Sequence, residues 1–377
     1  MADNKENKVL NVPALRFPEF TGEWERHKLS EVCSFYSGGT RSSSKKEYYN
    51  GNIPFIRSGE LHKDYTELFI TEAGLSNSAA KLVETGDLLL ALYGATSGDI
   101  AISKIKGAIN QAILCIRTKQ DKKFIESVWN KHVERLLQTY LQGGQGNLSS
   151  DIVKNIPFYF ANSEEQDKLA KFISLLDERI ATQNKIIEKL ETLIKGIRHK
   201  VFKQLRKDFG FNSTIGDILS FEQPQRYIVS SAEYSNDDTF IPVLTANKAF
   251  ILGYTTETDG IYDKGDCIII DDFTLDCKYV SFPFKVKSSA IKILTANNKF
   301  ILRYTYEYLK SLELSTEEHK RHYITEIQPY SCVLPDENTL KTIALVFENL
   351  AYKLSNEQSL ALILNKQRQY LLSKMFI

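Results

Sequence analysis

A chain of 377 residues, 42% hydrophobic and 25% charged, is long enough for two or three globular domains with cores of their own. Its formal net charge of +1 excludes a globally basic nucleic-acid binder, so any DNA-binding surface must be assembled from local patches. No apolar run approaches the roughly 20 residues needed to cross a bilayer, and the opening MADNKENKVLNVP lacks a signal-peptide core, so a cytoplasmic chain without membrane contact is expected.

Residues 1–162 read as a first mixed domain. KLSEVCSF (Lys28 to Phe35), NIPFIRSGEL (Asn52 to Leu61) and TGDLLLALYGATSGDIAI (Thr85 to Ile102) are strand-like runs separated by Gly/Asn/Ser loops. LLLALYGA near Leu88 reads as a buried strand. Residues 163–210 change character. Leu169, Ile173, Leu176, Ile180, Gln183, Ile187, Leu190, Ile194, Ile197 and Val201 follow a 3.5-residue repeat with one polar interruption. That narrow seam is what a coiled-coil partner requires. Ser163 and Gln166 suggest a capping box at the start, and Gly210 a stop. A helix of this length with one apolar stripe needs a second helix.

Residues 211–335 repeat the pattern of the first domain, and 336–377 repeat the helix. TIGDILSF (Thr214 to Phe221) aligns with KLSEVCSF, TFIPVLTANK (Thr239 to Lys248) with NIPFIRSGEL, and KGDCIIIDDFTLDCKYVSF (Lys264 to Phe282) with the Thr85 block. Phe347, Leu350, Leu354, Glu357, Ala361, Leu364, Arg368, Leu371 and Met375 each lie 174 residues after a counterpart in the first seam, Glu357 after Gln183. The expected fold is α+β: two mixed α/β domains in a pseudo-twofold repeat, separated by two long antiparallel coiled-coil helices. The helix-pair interface would be formed by Ile173, Leu176, Ile180, Gln183, Ile187, Leu190, Ile194, Phe347, Leu350, Leu354, Glu357, Leu364 and Leu371.

Catalytic signals are weak. NIPF occurs at Asn52 to Phe55 and Asn155 to Phe158, but Ile stands where an adenine methyltransferase motif carries proline, and duplication within the repeat accounts for both copies. GGQGN (Gly143 to Asn147) lacks the Lys-Ser/Thr of a phosphate loop. His319 and His322 lack the HExxH order of a zinc site and read as surface charges. The five cysteines never form a CxxC pair and read as reduced core residues.

Loop chemistry suits DNA better. GGTRSSSKKEYY sets Arg41, Lys45 and Lys46 beside Thr40 and Ser42, where small residues admit a phosphate and Arg can fork onto guanine. Arg57 and Ser58 follow an apolar run. Tyr93, Thr96 and Ser97 lie in YGATSG, and Gln145 and Asn147 in the glycine-rich loop. In the second half the candidates are Gln223, Gln225, Arg226 and Tyr227, then Thr245, Asn247 and Lys248, then Asp272 and Thr274, then Lys285, Lys287, Ser288 and Ser289. An ordinary solvated loop is the alternative for each. The six cations of KGIRHKVFKQLRK (Lys195 to Lys207) either complement the helix dipole or meet phosphates.

The layout resembles the specificity subunit of type I restriction-modification enzymes. The resemblance is carried by LRFPEFTGEWERHKLSEV, SGGTRSSSKKEYYNGNIPFIRSGEL, GDLLLALYGATSGDIAI, GQGNLSSDIVKNIPF and the long SEEQ…RHKVF helix. In the second half it is carried by FEQPQRYIV, IPVLTANKAFILGYT, IIIDDFT and FKVKSSAIKIL. It implies a non-catalytic subunit whose two recognition domains each read one half of a bipartite, asymmetric target in double-stranded DNA. The helices would set the gap and dock two adenine-N6 methyltransferase (modification) subunits. Restriction subunits, ATP-dependent translocases and nucleases, complete the implied assembly. S-adenosylmethionine, ATP and Mg would be bound by the partners, with no cofactor and no metal in this chain. An adaptor or inhibitor that binds methyltransferase subunits without reading DNA is the alternative.

Overall fold

The computed structural model describes residues 10–39, 46–141, 147–246, 249–316 and 320–377. It divides into two units: residues 1–183 with 360–377, and residues 184–359.

In the first unit the order is β1 (Glu25–Lys28), α1 (Leu29–Val32), β2 (Cys33–Ser37), β3 (Tyr49–Ile56), β4 (Phe69–Ile70), α2 (Glu72–Ser76), β5 (Lys81–Val83) and β6 (Leu88–Ala91). Then come β7 (Ile100–Ile102), β8 (Gly107–Ile109), β9 (Ile113–Thr118), α3 (Lys122–Leu141), α4 (Ser150–Asn155), β10 (Pro157–Phe160) and the long α5 (Ser163–Phe209). One sheet has the order β2-β9-β6-β7, a second β4-β3-β8-β5, and β1 pairs with β10. Strand β6 is buried on both faces. Leu88 and Leu90 pack with Phe124 and Val128 of α3 and with Trp24, while Leu89 and Ala91 pack with Ile56 and Val83 of the second sheet. A strand between two layers needs apolar residues at every position, which is why LLLA does not alternate.

The second unit repeats this order without α-helical or strand counterparts of α2, β5 and α4: β11 (Ser213–Thr214), α6 (Ile215–Ile218), β12 (Ser220–Glu222), β13 (Ile241–Leu244), β14 (Ile251–Thr255), β15 (Cys267–Asp271) and β16 (Cys277–Val280). Strands β17 (Lys285–Val286) and β18 (Ile291–Thr295), α7 (Lys299–Ser311), β19 (Ser331–Cys332) and α8 (Glu337–Met375) complete it. Its sheets have the orders β12-β18-β15-β16 and β14-β13-β17, and β11 pairs with β19. Each neighbour relation has its counterpart in the first unit, including a parallel pairing of strands, β3 with β8 and β13 with β17. Strand β15 is buried on both faces like β6: Ile268 and Ile270 face α7, while Cys267 and Ile269 face the second sheet.

Helix α5 is 47 residues long, about 70 Å at 1.5 Å per residue, and α8 is 39. Their starts are matched. Asn162 Oδ1 accepts from the N–H of Glu165 at 2.9 Å, and Asp336 Oδ1 accepts from the N–H of Thr339 at 2.9 Å. The cap of α5 is therefore Asn162, one residue before the expected Ser163. Both are capping residues, and Asn162 wins because Gln166 turns back to donate to Ala161 O at 2.7 Å. Gly210 ends α5 at φ +66°, its N–H donating to Arg206 O, a left-handed stop that suits glycine.

In the second unit the helices run antiparallel: Gln358 donates to Glu191 at 3.4 Å, and the Phe202 and Phe347 rings stack at 6.4 Å, so a rise along one is a fall along the other. In the first unit Arg368 of α8 pairs with Asp177 of α5, which also takes Lys123 of α3 at 2.7 Å. Ile173, Leu176, Gln183, Leu190, Ile194, Phe347 and Leu364 are buried, and Ile180, Ile187, Leu350, Leu354, Glu357 and Leu371 half-buried. The polar residues at Gln183 and Glu357 occupy equivalent helix positions in different surroundings: Gln183 is 6% exposed, whereas Glu357 is half-buried, level with Glu191 and Thr192 by the register at Gln358.

Candidate nucleic-acid interface

Strand register collects the candidate loops of the first unit at one edge. Ser37 lies opposite Leu114, Ala91 opposite Ile113 and Leu90 opposite Ile100, while parallel β3 and β8 end together at Ile56 and Ile109. The turns after β2, β3, β6 and β8 therefore emerge side by side. The segment around residue 148 joins them, because the Leu148 N–H donates to Leu92 O at 3.0 Å. Gly38 comes so close to this edge that a Cβ there would sit 1.8 Å from Ile109 O. A loop edge carried on buried strands is a usual place for recognition residues.

Three contacts brace this edge. His62 Nε2 lies 2.8 Å from Asp99 Oδ1 and ties the β3 loop to the β6 loop; the carboxylate raises the imidazole pKa, and partial burial opposes it. Gly98 adopts φ +87° beneath α3 and accepts from Trp129 Nε1 at 2.8 Å. Arg57 binds Glu60 and Glu67, each at 2.7 Å. Burial alone would raise the Glu60 pKa, but Arg57, Thr66 and two backbone N–H groups outweigh it and hold it at about 2. Arg57 is thus half-exposed with its charge already answered by two carboxylates.

Of the expected contacts in this unit, Asn147 is exposed and Ser58, Tyr93, Thr96 and Ser97 are half-buried at the edge, with Ser97 Oγ donating to Leu92 O at 3.0 Å. Thr40, Arg41, Ser42, Lys45 and Gln145, and the side chain of Lys46, lie outside the described residues. The two NIPF copies are structural. Phe55 is buried on β3, and Phe158 on β10 stacks on His132 at 5.6 Å.

The second unit builds the same edge. Glu222 lies opposite Ile293, Asp271 opposite Ile291 and Ile270 opposite Cys277, and β13 and β17 end together at Leu244 and Val286. Here the brace is buried. Asp272 and Lys292, each 1% exposed, pair at 3.1 Å. Lys292 also donates to Gln223 Oε1 at 3.0 Å, and Asp272 Oδ1 accepts from the backbone N–H of Tyr323 at 2.8 Å. Three loops are locked through one ion pair.

Four expected DNA contacts are corrected by this geometry. Asp272 is inside the brace. Lys285, 3% exposed, is consumed by Glu257 at 2.9 Å and Asp259 O at 2.6 Å. Tyr227 is buried with its hydroxyl on Glu222 at 2.8 Å, and Thr245 is buried at the end of β13. They position loops and do not face solvent. Gln223, Gln225, Arg226, Thr274, Lys287 and Ser288 are exposed, and Ser289 half-buried; Asn247 and Lys248 lie outside the described residues, as does His319. His322 is no surface charge either. It is 1% exposed, with Nδ1 2.9 Å from Glu326.

Sequence reasoning passed over Arg321. Its side chain is half-exposed beside Asp272, at the place in the second unit that Asn147 holds in the first. The cations of the α5 C-terminal run divide: Arg198 joins Arg303 on buried Glu307 at 2.7 Å each, Lys195 pairs with Glu313 at 2.6 Å, and Lys200, Lys203 and Lys207 are exposed. Among the described residues no cluster of three or more His, Cys, Asp or Glu could hold a metal, and no helix is long and apolar enough to cross a membrane.

Comparison with known proteins places this architecture. Residues 21–192 match the family model for the type I restriction modification DNA specificity domain. Over 141 residues, 36% of this chain, the sequence is 44% identical to the EcoR124I/EcoR124II specificity subunit of Escherichia coli. Over 203 residues, 52% of this chain, it is 25% identical to the MjaVIII specificity subunit of Methanocaldococcus jannaschii. It spans 35% and 45% of the length of these relatives. The fold matches the crystal structure of a type I restriction-modification S subunit from M. genitalium with a TM-score of 0.66, covering 97% of this chain and 99% of that one at 17% identity. Residues 21–192 are thus similar to the type I restriction modification DNA specificity domain, and the chain as a whole shares the fold of that solved S subunit.

Proposed function

We propose that this chain is the DNA-reading subunit of a type I restriction-modification system. Each unit reads one half of a bipartite, asymmetric target in double-stranded DNA through its loop edge. The observation that carries the reading is that two units of the same strand order present loop edges built from different side chains: Asn147, Tyr93 and Ser97 in one, Gln225, Arg226, Lys287 and Arg321 in the other. One scaffold with two chemistries fits two different half-sites.

The long helices set the gap between the half-sites and carry two adenine-N6 methyltransferase subunits. Their outer faces support docking: on α5 and α8 of the first unit Leu175, Leu362, Ile363 and Tyr370 are 57 to 60% exposed, and in the second unit Leu193 is 55% and Tyr352 70% exposed. Large apolar side chains gathered on an exposed helix face mark an interaction surface. The chain positions DNA and partners without chemistry of its own. S-adenosylmethionine is held by the methyltransferase subunits, while ATP and Mg are held by restriction subunits, and the complex works in the cytoplasm.

Methylome sequencing of cells with and without the gene tests this reading. The expected result is one bipartite motif with methyladenine in both halves that disappears on deletion. A methylation pattern unchanged by deletion contradicts it, as does methyl transfer to DNA by the purified chain alone.

A further inference from the structure

The loop edge of the second unit carries a cation held in place but not consumed. Arg321 precedes His322, whose backbone N–H donates to Asp272 O at 2.9 Å and Asp272 Oδ1 at 3.1 Å. The Arg321 backbone is therefore pinned to the turn that follows β15. Its guanidinium carbon lies 5.8 Å from the Phe273 ring centroid, and its Nη2 is 3.5 Å from Ser289 Oγ. Among the described residues its carboxylate neighbour is Asp272, 3.7 Å away and already paired with Lys292. The side chain keeps 49% of its exposure, so the ring and hydroxyl orient a guanidinium whose donors remain open.

The first unit has the same backbone device. The Leu148 N–H donates to Leu92 O at 3.0 Å, and Leu92 follows β6 as Asp272 follows β15. The residue before the pinned position is Asn147, which is exposed. We propose that this position is a base-reading position in both units, with Arg321 taking the major-groove edge of guanine and Asn147 that of adenine. The inference rests on the DNA-reading function proposed above. The Arg fork matches guanine O6 and N7, and the Asn amide matches adenine N6 and N7. A side chain already oriented loses less freedom on binding.

Selection from a randomised duplex library by the complex purified through this chain tests the assignment. The wild-type complex should enrich a bipartite motif. Arg321→Lys and Arg321→Gln should each relax one G·C position in one half by about 5- to 150-fold and leave the other half intact; Asn147→Ala should relax one A·T position in the opposite half. Melting temperatures of the variants should match wild type, because the brace between Asp272 and Lys292 is untouched. Uniformly weaker binding with an unchanged motif would mean a phosphate contact and overturn the assignment for that unit. A wild-type complex that enriches no motif defeats the DNA-reading function itself, a result separable from any variant.

Discussion

The two loop edges share strand order and differ in how their loops are tied together. In the first unit one tie is at the surface, His62 to Asp99, 63% and 37% exposed, and the other is open to solvent on one side, half-exposed Arg57 to buried Glu60 and exposed Glu67. In the second unit a fully buried pair, Asp272 with Lys292, fastens the turns after β12 and β15 and the segment at His322. Surface ion pairs stabilise by about 0–1 kcal/mol, whereas breaking a buried pair strands a charge and costs about 3–5 kcal/mol. The comparison teaches that the scaffold leaves loop bracing free to vary, so each edge can change its chemistry without disturbing the strands beneath.

The largest effect should therefore come from Asp272→Ala, which leaves Lys292 buried and unpaired and should lower the stability of the second unit by about 3–5 kcal/mol, read by denaturant unfolding; a loss under about 1 kcal/mol would remove the distinction between the edges. Next is Gly98→Ala. Its φ of +87° and a Cβ 2.8 Å from Val133 should cost about 1–3 kcal/mol and loosen the β6 loop without changing the second half-site. A wild-type melting temperature would show that this turn is not fixed by α3. Smallest is His62→Ala, under about 1 kcal/mol. Its pH dependence has a definite sign: the folded pKa is raised, so its contribution is full at low pH and lost as pH rises through that value. Glu60, held at about 2, does the reverse and loses its contribution as pH falls from its ordinary value of 4.5. The first edge should be best braced between these limits, and a pH titration of amide exchange at residues 57–62 and 93–99 would show it. If the proposed methyltransferase subunits dock on these helices, replacing Leu362, Ile363 and Tyr370 together with serine should release them while the proposed DNA selection by the remaining chain keeps its motif.

Much of this architecture was legible because duplication writes the same signal twice. The helix seams repeat in phase, and β6 and β15 are apolar runs because both their faces are buried. Helices α3 and α7 were not singled out. In KFILRYTYEYLKS the aromatic and β-branched content mimics a strand, and only packing against β15 and β16 decides the matter. The buried charges were illegible for a different reason. Asp272 and Lys285 look like surface residues until their partners, Lys292 and Glu257, are brought beside them. Arg321 was hidden within a charged run, and its equivalence to Asn147 appears only through the paired backbone contacts of Leu148 and His322.

The central claim, two independent readers on a duplicated scaffold, is tested most directly by exchanging residues 20–160 for those of a relative with a different target and sequencing the methylome. One half of the motif should change to that of the donor, with the other half and the gap preserved. A change in both halves would contradict the account.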